Sequence, residues 1–80
     1  MRVHIGRIYR FQPNGIDLAL LQHYDAVPGQ VVRVLKLPGA PPPNTMGQCH
    51  IEDANTHRFL GMVSTGSLQP FYKHRLRDKG

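Results

Sequence analysis

The fold of this chain is decided by residues 47–70, GQCHIEDANTHRFLGMVSTGSLQP, which indicate two β-strands joined by a polar reversal and followed by a short closing element. In residues 48–52 the apolar side chains of Cys49 and Ile51 alternate with polar ones, and such alternation sends successive side chains to opposite faces of a strand. Residues 53–57 carry short polar side chains that bond their own backbone, which is typical of a hairpin loop. We therefore predict a β-hairpin here.

The second strand of this hairpin has apolar side chains on both of its predicted faces. Strict alternation places Phe59, Gly61 and Val63 on one face. It places Leu60 and Met62 on the other face, which predicts a strand that is covered on both sides and therefore lies more centrally in the sheet.

The chain contains 80 residues, so we expect one domain with a small core and no room for a second domain or a large catalytic cleft. Ten Lys and Arg oppose five Asp and Glu, which gives a formal net charge of +5, and the sequence pI is about 10.0. This basic balance favours anionic partners through long-range attraction. We predict a domain over residues 1–72 and a basic, flexible C-terminal tail over residues 73–80.

Two further strands are predicted upstream of the hairpin. Residues 2–11 combine alternation with β-branched and aromatic side chains, and Gly6 among them indicates a bulge or a bend. Residues 30–37, QVVRVLKL, are the clearest strand of the chain and are expected to lie in the core of the sheet.

The segment between these strands, residues 16–26, is compatible with either a helix or a strand. It contains good helix formers, and several of its apolar side chains recur at helical spacing. The preceding Asn14-Gly15 dipeptide is, however, a strong hairpin signal, because both residues accept positive φ. We favour a strand that pairs back onto residues 2–11 and keep the helix as the alternative.

A Pro-rich connection, PGAPPPN, follows at residues 38–44. Proline fixes φ and holds such a segment extended without internal hydrogen bonds. The simpler interpretation is a stiff link between strands, which stabilises the fold by restricting the unfolded chain. The alternative is a polyproline ligand for another protein.

Several short strands with closely spaced turns, in a chain too short for a sandwich, predict a small barrel. The sequence PGQVVRV at residues 28–34, the Pro-rich excursion, the hairpin, and the single turn at residues 65–67 before Leu68 together resemble the Src-homology-3-type small barrels of bacteria, including those of translation and transcription proteins. The resemblance covers residues 28–70 and implies a mainly β barrel of five or six strands, with residues 1–27 as an N-terminal hairpin or strand-helix addition. It also implies a binding module for nucleic acid or peptides.

Nucleic acid is the first partner that we expect, because phosphates attract clustered Lys and Arg and single strands stack on aromatic rings. The alternative is a protein partner or a second copy of this chain, held by the Pro-rich loop and an exposed apolar sheet face. The competing interpretation is that the charged side chains form an ordinary solvated surface and that the aromatic ones belong to the core. The residues predicted to bind nucleic acid are Arg7, Tyr9, Arg10, Arg33, Lys36, Arg58, Lys73 and Arg75, with Phe11 as a second possible stacking ring. The residues predicted to contact protein are Pro41, Pro42, Pro43, Leu60 and Met62.

The sequence offers little for catalysis or for a metal. Its five His and one Cys do not recur at the close spacing of zinc sites, so we expect no metal and no cofactor. Cys49, on the apolar face of a strand, is expected to be an inert core residue, and we predict a protein that is not an enzyme. The lone Cys, and the lack of a signal sequence or of an apolar run of spanning length, lead us to expect a cytoplasmic protein without membrane association.

Overall fold

The structure, a computed structural model, describes residues 3–40 and 47–71. In this part of the chain the protein is mainly β, as predicted, with one antiparallel sheet and a few short helical segments. The strands are β1 (Ile8–Phe11), β2 (Val31–Leu35), β3 (Gln48–Asp53), β4 (Phe59–Ser64) and β5 (Leu68–Pro70). The helical segments are α1 (Ile16–Ala19) and two 3₁₀ turns, Leu21–His23 and Thr65–Ser67.

The five strands lie in the order β4-β3-β2-β1-β5. β2 is central, which confirms the prediction for residues 30–37, whereas β4 lies at an edge, so the central position predicted for it is wrong. In a flat sheet the two edge strands would lie roughly 19 Å apart. They are joined only by the turn Thr65–Ser67, a connection that spans at most about 15 Å, so the sheet must curve. Among the described residues no ladder joins β4 to β5, and the sheet is open at that seam.

The core lies on the inner face of this curved sheet. Cys49 and Ile51 of β3 are both buried, which confirms their alternation with polar neighbours. Val32 and Val34 are fully buried on the central strand beside them. The buried apolar cluster consists of Val3, Tyr9, Phe11, Ala26, Val32, Val34, Cys49, Ile51, Leu60, Val63 and Leu68.

A β-bulge in β4 changes which of its side chains reach the core. The ladder with β3 passes from Gly61 to Phe59 and leaves Leu60 without a partner of its own. As a result Leu60 and Val63 are buried, whereas Phe59 and Met62 face outward. Leu60 and Met62 therefore lie on opposite faces, and the prediction that they share one face is wrong.

Within residues 16–26 the chain forms two helical segments, Ile16–Ala19 and Leu21–His23, so the favoured strand is wrong and the helix alternative is correct for this part. Gly15 precedes α1 with φ 58° and ψ −126°, a conformation that glycine reaches without a steric penalty. The expected pairing back onto β1 does not occur, because β2 and β5 occupy both edges of that strand. The side chain of Asp17 in α1 instead accepts hydrogen bonds from Ser64, at the end of β4, and from Ser67 in the turn that follows.

β1 is shorter than the strand predicted over residues 2–11. The chain turns at Gly6, which has φ 86° and donates from its N–H to the carbonyl of Val34 at 2.8 Å. The bend expected at Gly6 is confirmed, and regular pairing begins only at Ile8.

Candidate functional site

The sheet face opposite the core, which we call the outer face, brings together two of the predicted cations. The β1–β2 ladder places Arg33 opposite Ile8 and Val31 opposite Arg10. Arg10 and Arg33 are therefore diagonal neighbours across this ladder, a relationship that separates them by about 7–8 Å at the backbone. The two guanidinium groups thus rise from adjacent strands on the same surface.

Arg33 is anchored by one end of its guanidinium group. Its Nη1 donates to Glu52 Oε2 at 3.2 Å and to the carbonyl of Ala54 at 3.3 Å. Guanidinium has five N–H donors, and in residues 3–40 and 47–71 neither Nε nor Nη2 of Arg33 makes a hydrogen bond. The side chain is therefore oriented and retains donors for a ligand.

Arg10, on the neighbouring strand β1, is held in a comparable way. Its Nη1 donates to the carbonyl of Gly29 at 3.1 Å, and its Cζ lies 5.0 Å from the centre of the Phe71 ring. A cation over an aromatic face at this distance contributes about 0.5–1 kcal/mol when exposed. β5 pairs with β1 and so brings Phe71, which follows it directly, to this position.

A groove of about 330 Å³ lies on this face beside Arg33 and Phe71. Its volume falls at the lower end of the roughly 300–1,000 Å³ that is usual for ligand pockets. It is partly open to solvent and combines polar with apolar lining. The residues that line it are Ile8, Val31, Arg33, Ala54, Asn55 and Phe71.

The loop between β3 and β4 is held by two carboxylates. His57 Nδ1 lies 2.9 Å from Glu52 Oε2, and the bond from His57, followed by that from Arg33, lowers the pKa of Glu52. Asp53 Oδ1 accepts from the backbone N–H groups of Asn55 and Thr56, each at 2.8 Å. This Asx-type loop places Ala54 and Asn55 at the groove.

The lowered pKa of Asp53 predicts that the stability of the fold depends on pH. Its bond from Gln30 Nε2, followed by the two backbone bonds, lowers its pKa from 3.8 to about 2. A carboxyl group whose pKa is lower in the folded state stabilises the fold above the unfolded pKa, and this contribution is lost as the pH falls through the folded pKa. We expect the free energy of unfolding to decrease from about pH 5 to pH 2, and to decrease less in Asp53→Asn.

Urea denaturation at successive pH values measures this effect. Asp25→Asn is the matched control, because Asp25 accepts none of these bonds in the described part of the chain and contacts only Arg58, at 3.7 Å. Equal pH dependence in the wild-type protein and in Asp53→Asn would contradict the assignment.

A second feature of the outer face is an apolar patch, which we define as His50, Phe59 and Met62. The rings of His50 and Phe59 stack with centroids 6.0 Å apart, and the β3–β4 ladder pairs His50 with Met62. Phe59 is 48 % exposed and Met62 45 %. These three residues lie toward β4, whereas the groove lies toward β1.

The other residues predicted for nucleic acid are dispersed or buried. Tyr9 is only 5 % exposed and its hydroxyl accepts from the backbone N–H of His4 at 2.9 Å, so its assignment as a stacking ring is wrong, and the fully buried Phe11 is equally excluded. Arg7 is exposed before β1. Lys36 donates to the carbonyl of Ala40. Arg58 pairs with Asp25, and Lys73 and Arg75 lie outside the described residues.

The residues predicted for protein contact divide in the same way. Leu60 is 4 % exposed and belongs to the core, so its assignment to an exposed face is wrong, whereas Met62 is in the apolar patch. Pro41, Pro42 and Pro43 lie outside the described residues. No local sequence signal marks Phe59, Asn55 or Phe71, because their positions depend on the bulge, on the loop and on the return of β5.

A buried polar cluster around Asp17 was also missed. Asp17 is 1 % exposed, and its carboxyl group accepts hydrogen bonds from Tyr24 Oη at 2.8 Å, from the backbone N–H of Ser64 at 2.9 Å and from Ser67 Oγ. Burial, with a smaller effect of the nearby Asp17, raises the pKa of the Cys49 thiol to about 11. A buried thiol that stays protonated at neutral pH is a poor nucleophile.

The described residues carry little of the positive charge. Residues 3–40 and 47–71 contain five Lys and Arg against four Asp and Glu, which leaves +1 of the net +5. The other +4 belongs to residues outside those ranges, chiefly the sequence after Phe71.

Comparisons with protein-family models, curated proteins and solved structures find no match to this chain. Among the residues that the structure describes, no group of three or more His, Cys, Asp and Glu is arranged to hold a metal ion. No helical segment there combines the length and the apolar character needed to cross a bilayer.

Proposed function

We propose that this protein is a non-catalytic binding module that contacts nucleic acid through the basic side of its outer face. The observation that carries this proposal is the pair of anchored arginines: Arg33 lines the groove, and Arg10 stands over the Phe71 ring that forms its aromatic wall. Guanidinium groups that are already oriented lose little freedom when they bind a phosphate. The basic sequence after Phe71 adds long-range attraction for the same partner.

The fold assignment belongs to the same proposal. A Src-homology-3-type barrel is supported by a single antiparallel sheet whose two edge strands are linked by one 3₁₀ turn. We also propose a cytoplasmic location, which is supported by the unpaired Cys49.

Removal of the two arginines tests the function. In fluorescence anisotropy titrations with labelled DNA and RNA, we expect Arg10→Gln combined with Arg33→Gln to weaken binding about tenfold or more at low salt. The slope of log affinity against log salt is expected to fall by about one for each phosphate that the variant no longer neutralises. Circular dichroism verifies that the double variant is folded.

Arg58→Gln is the matched control for Arg10→Gln and Arg33→Gln made singly, because it removes one charge from a side chain that pairs with Asp25 and does not line the groove. We expect this variant to bind nearly as well as the wild-type protein. Full affinity in the double variant would contradict the site, and no binding of any nucleic acid at low salt would contradict the function.

The apolar patch favours a second candidate, a protein-interaction or self-assembly module. Phe59 and Met62 expose large apolar side chains next to each other on an edge strand, where a partner could cover them. An apolar interface responds weakly to salt, whereas phosphate binding weakens steeply with it. A mass above that of the monomer in light scattering, insensitive to salt and reduced by Met62→Ser, would favour this candidate.

A further inference from the structure

We propose that the groove binds one unpaired base of a single-stranded nucleic acid, so that the protein prefers single strands to duplexes. This inference rests on the proposed function and specifies its substrate class. It follows from three features of the groove: the apolar side chains in its lining, its free polar groups, and the guanidinium group of Arg10 over its aromatic wall.

The apolar lining fits a flat ring. Ile8 and Val31 are neighbours on the outer face and line the groove, and Phe71 adds an aromatic ring to the same space. Stacking of bases on aromatic side chains is how proteins hold single strands without strict sequence preference. In a duplex both faces of each base are covered by neighbouring bases. A base can therefore stack against the apolar lining of the groove only when it is unpaired.

The polar lining fits the edge of such a ring. Arg33 lines the groove and has N–H donors that the described residues leave unused, and its position is fixed by Glu52 and Ala54. The Asn55 side-chain amide, which makes no hydrogen bond within the described part of the chain, offers one acceptor and two donors beside it. Single-strand readers bond the pairing edge of a base in this way, and pairing blocks that edge in a duplex.

The surrounding charge fits the attached phosphate. Arg10 stands over Phe71, on the side of the groove away from the Glu52–His57 pair. A base stacked beside Phe71 would therefore place its backbone near this guanidinium group. Glu52, an anion on this face, is paired with Arg33 at 3.2 Å and lies 2.9 Å from His57 Nδ1.

The experiment compares short labelled single strands with duplexes of the same sequence, in anisotropy titrations at low and near-physiological salt. We expect the single strand to bind about tenfold more tightly than the duplex, and Phe71→Leu to weaken single-strand binding about tenfold while changing duplex binding little. Phe59→Leu is the matched control, since it removes an exposed aromatic ring from the apolar patch on the same sheet face. Asn55→Ala is the second variant and is expected to weaken single-strand binding without changing the fold.

The outcomes separate this inference from the function on which it rests. Equal affinity for single strands and duplexes, or equal losses of affinity in Phe71→Leu and Phe59→Leu, overturns the base-binding groove and leaves nucleic-acid binding in place. No binding of either form at low salt overturns the proposed function itself.

Discussion

Asp17→Ala is expected to lower the free energy of unfolding by roughly 2–5 kcal/mol, because a buried donor left without a partner costs about 1–3 kcal/mol. Two donors lose this carboxylate: the buried Ser67 hydroxyl, whose other acceptor is the carbonyl of Asn14 at 3.5 Å, and the backbone N–H of the half-buried Ser64. The third donor, the hydroxyl of the half-buried Tyr24, is close enough to solvent to bind water instead. For a domain of this size, with a total stability of roughly 4–12 kcal/mol, the loss is a large fraction.

Urea denaturation measures this loss through the midpoint, provided that the slope is unchanged. Tyr24→Phe removes only one of the three bonds and is expected to cost about 1 kcal/mol. Asp25→Ala removes an exposed aspartate and is expected to change the stability by less than about 0.5 kcal/mol. A destabilisation in Asp17→Ala no greater than that in Asp25→Ala would show that the carboxyl group does not hold α1 to the end of β4.

Leu60→Ala and Met62→Ala are expected to differ strongly, although the two residues are only two positions apart. Leu60 is buried in the core, and truncation of a buried leucine costs about 2–5 kcal/mol. Met62 is on the outer face, where substitution usually changes stability by less than about 0.5 kcal/mol. The comparison therefore tests the bulge directly.

The same denaturation measurement applies to both variants. Similar destabilisation at the two positions would mean that β4 alternates regularly and that the bulge at Leu60 is absent. Val63→Ala, at another buried position of the same strand, provides the reference for a core truncation and is expected to resemble Leu60→Ala in its direction.

Local sequence pattern was enough to predict the parts of the fold that depend on neighbouring residues. Cys49 and Ile51 alternate with polar residues and are buried as the pattern indicates. The apolar run at residues 30–37 identifies the central strand, because a strand in the middle of a sheet tolerates many more apolar side chains than one at a solvated edge. The mainly β class follows from these segments alone.

The errors have long-range or irregular causes. Asn14-Gly15 has the chemistry of a hairpin turn, yet Asp17 bonds Ser64 and Ser67, and these tertiary bonds favour helical turns over a strand. The bulge at Leu60 shifts the alternation by one residue, and a shift of one exchanges the two faces of a strand. Neither the tertiary bonds of Asp17 nor the bulge at Leu60 can be recognised from the neighbouring residues in the sequence.

The sequence indicates the charged residues of the candidate site but not the aromatic wall of its groove. The positive charge of Arg10 and Arg33 makes them candidates, and the β1–β2 register makes them diagonal neighbours on the outer face. The ring of Tyr9 makes it a candidate for base stacking, but the alternation of side chains along β1 directs this ring into the core. Phe71 supplies the aromatic wall instead, and it reaches the groove only because β5 returns to pair with β1.

That return also governs how the protein is completed during synthesis. Of the strands that the structure describes, β1 is made first and β5 last, and the pairing of Phe11 with Leu68 joins them. Until residue 68 has emerged, one edge of β1 presents unpaired backbone groups, and open edges of this kind recruit other chains. A nascent or truncated chain that lacks β5 therefore exposes an unpaired edge of β1 that can pair with another chain. Once β5 has formed, it occupies this edge and prevents such pairing.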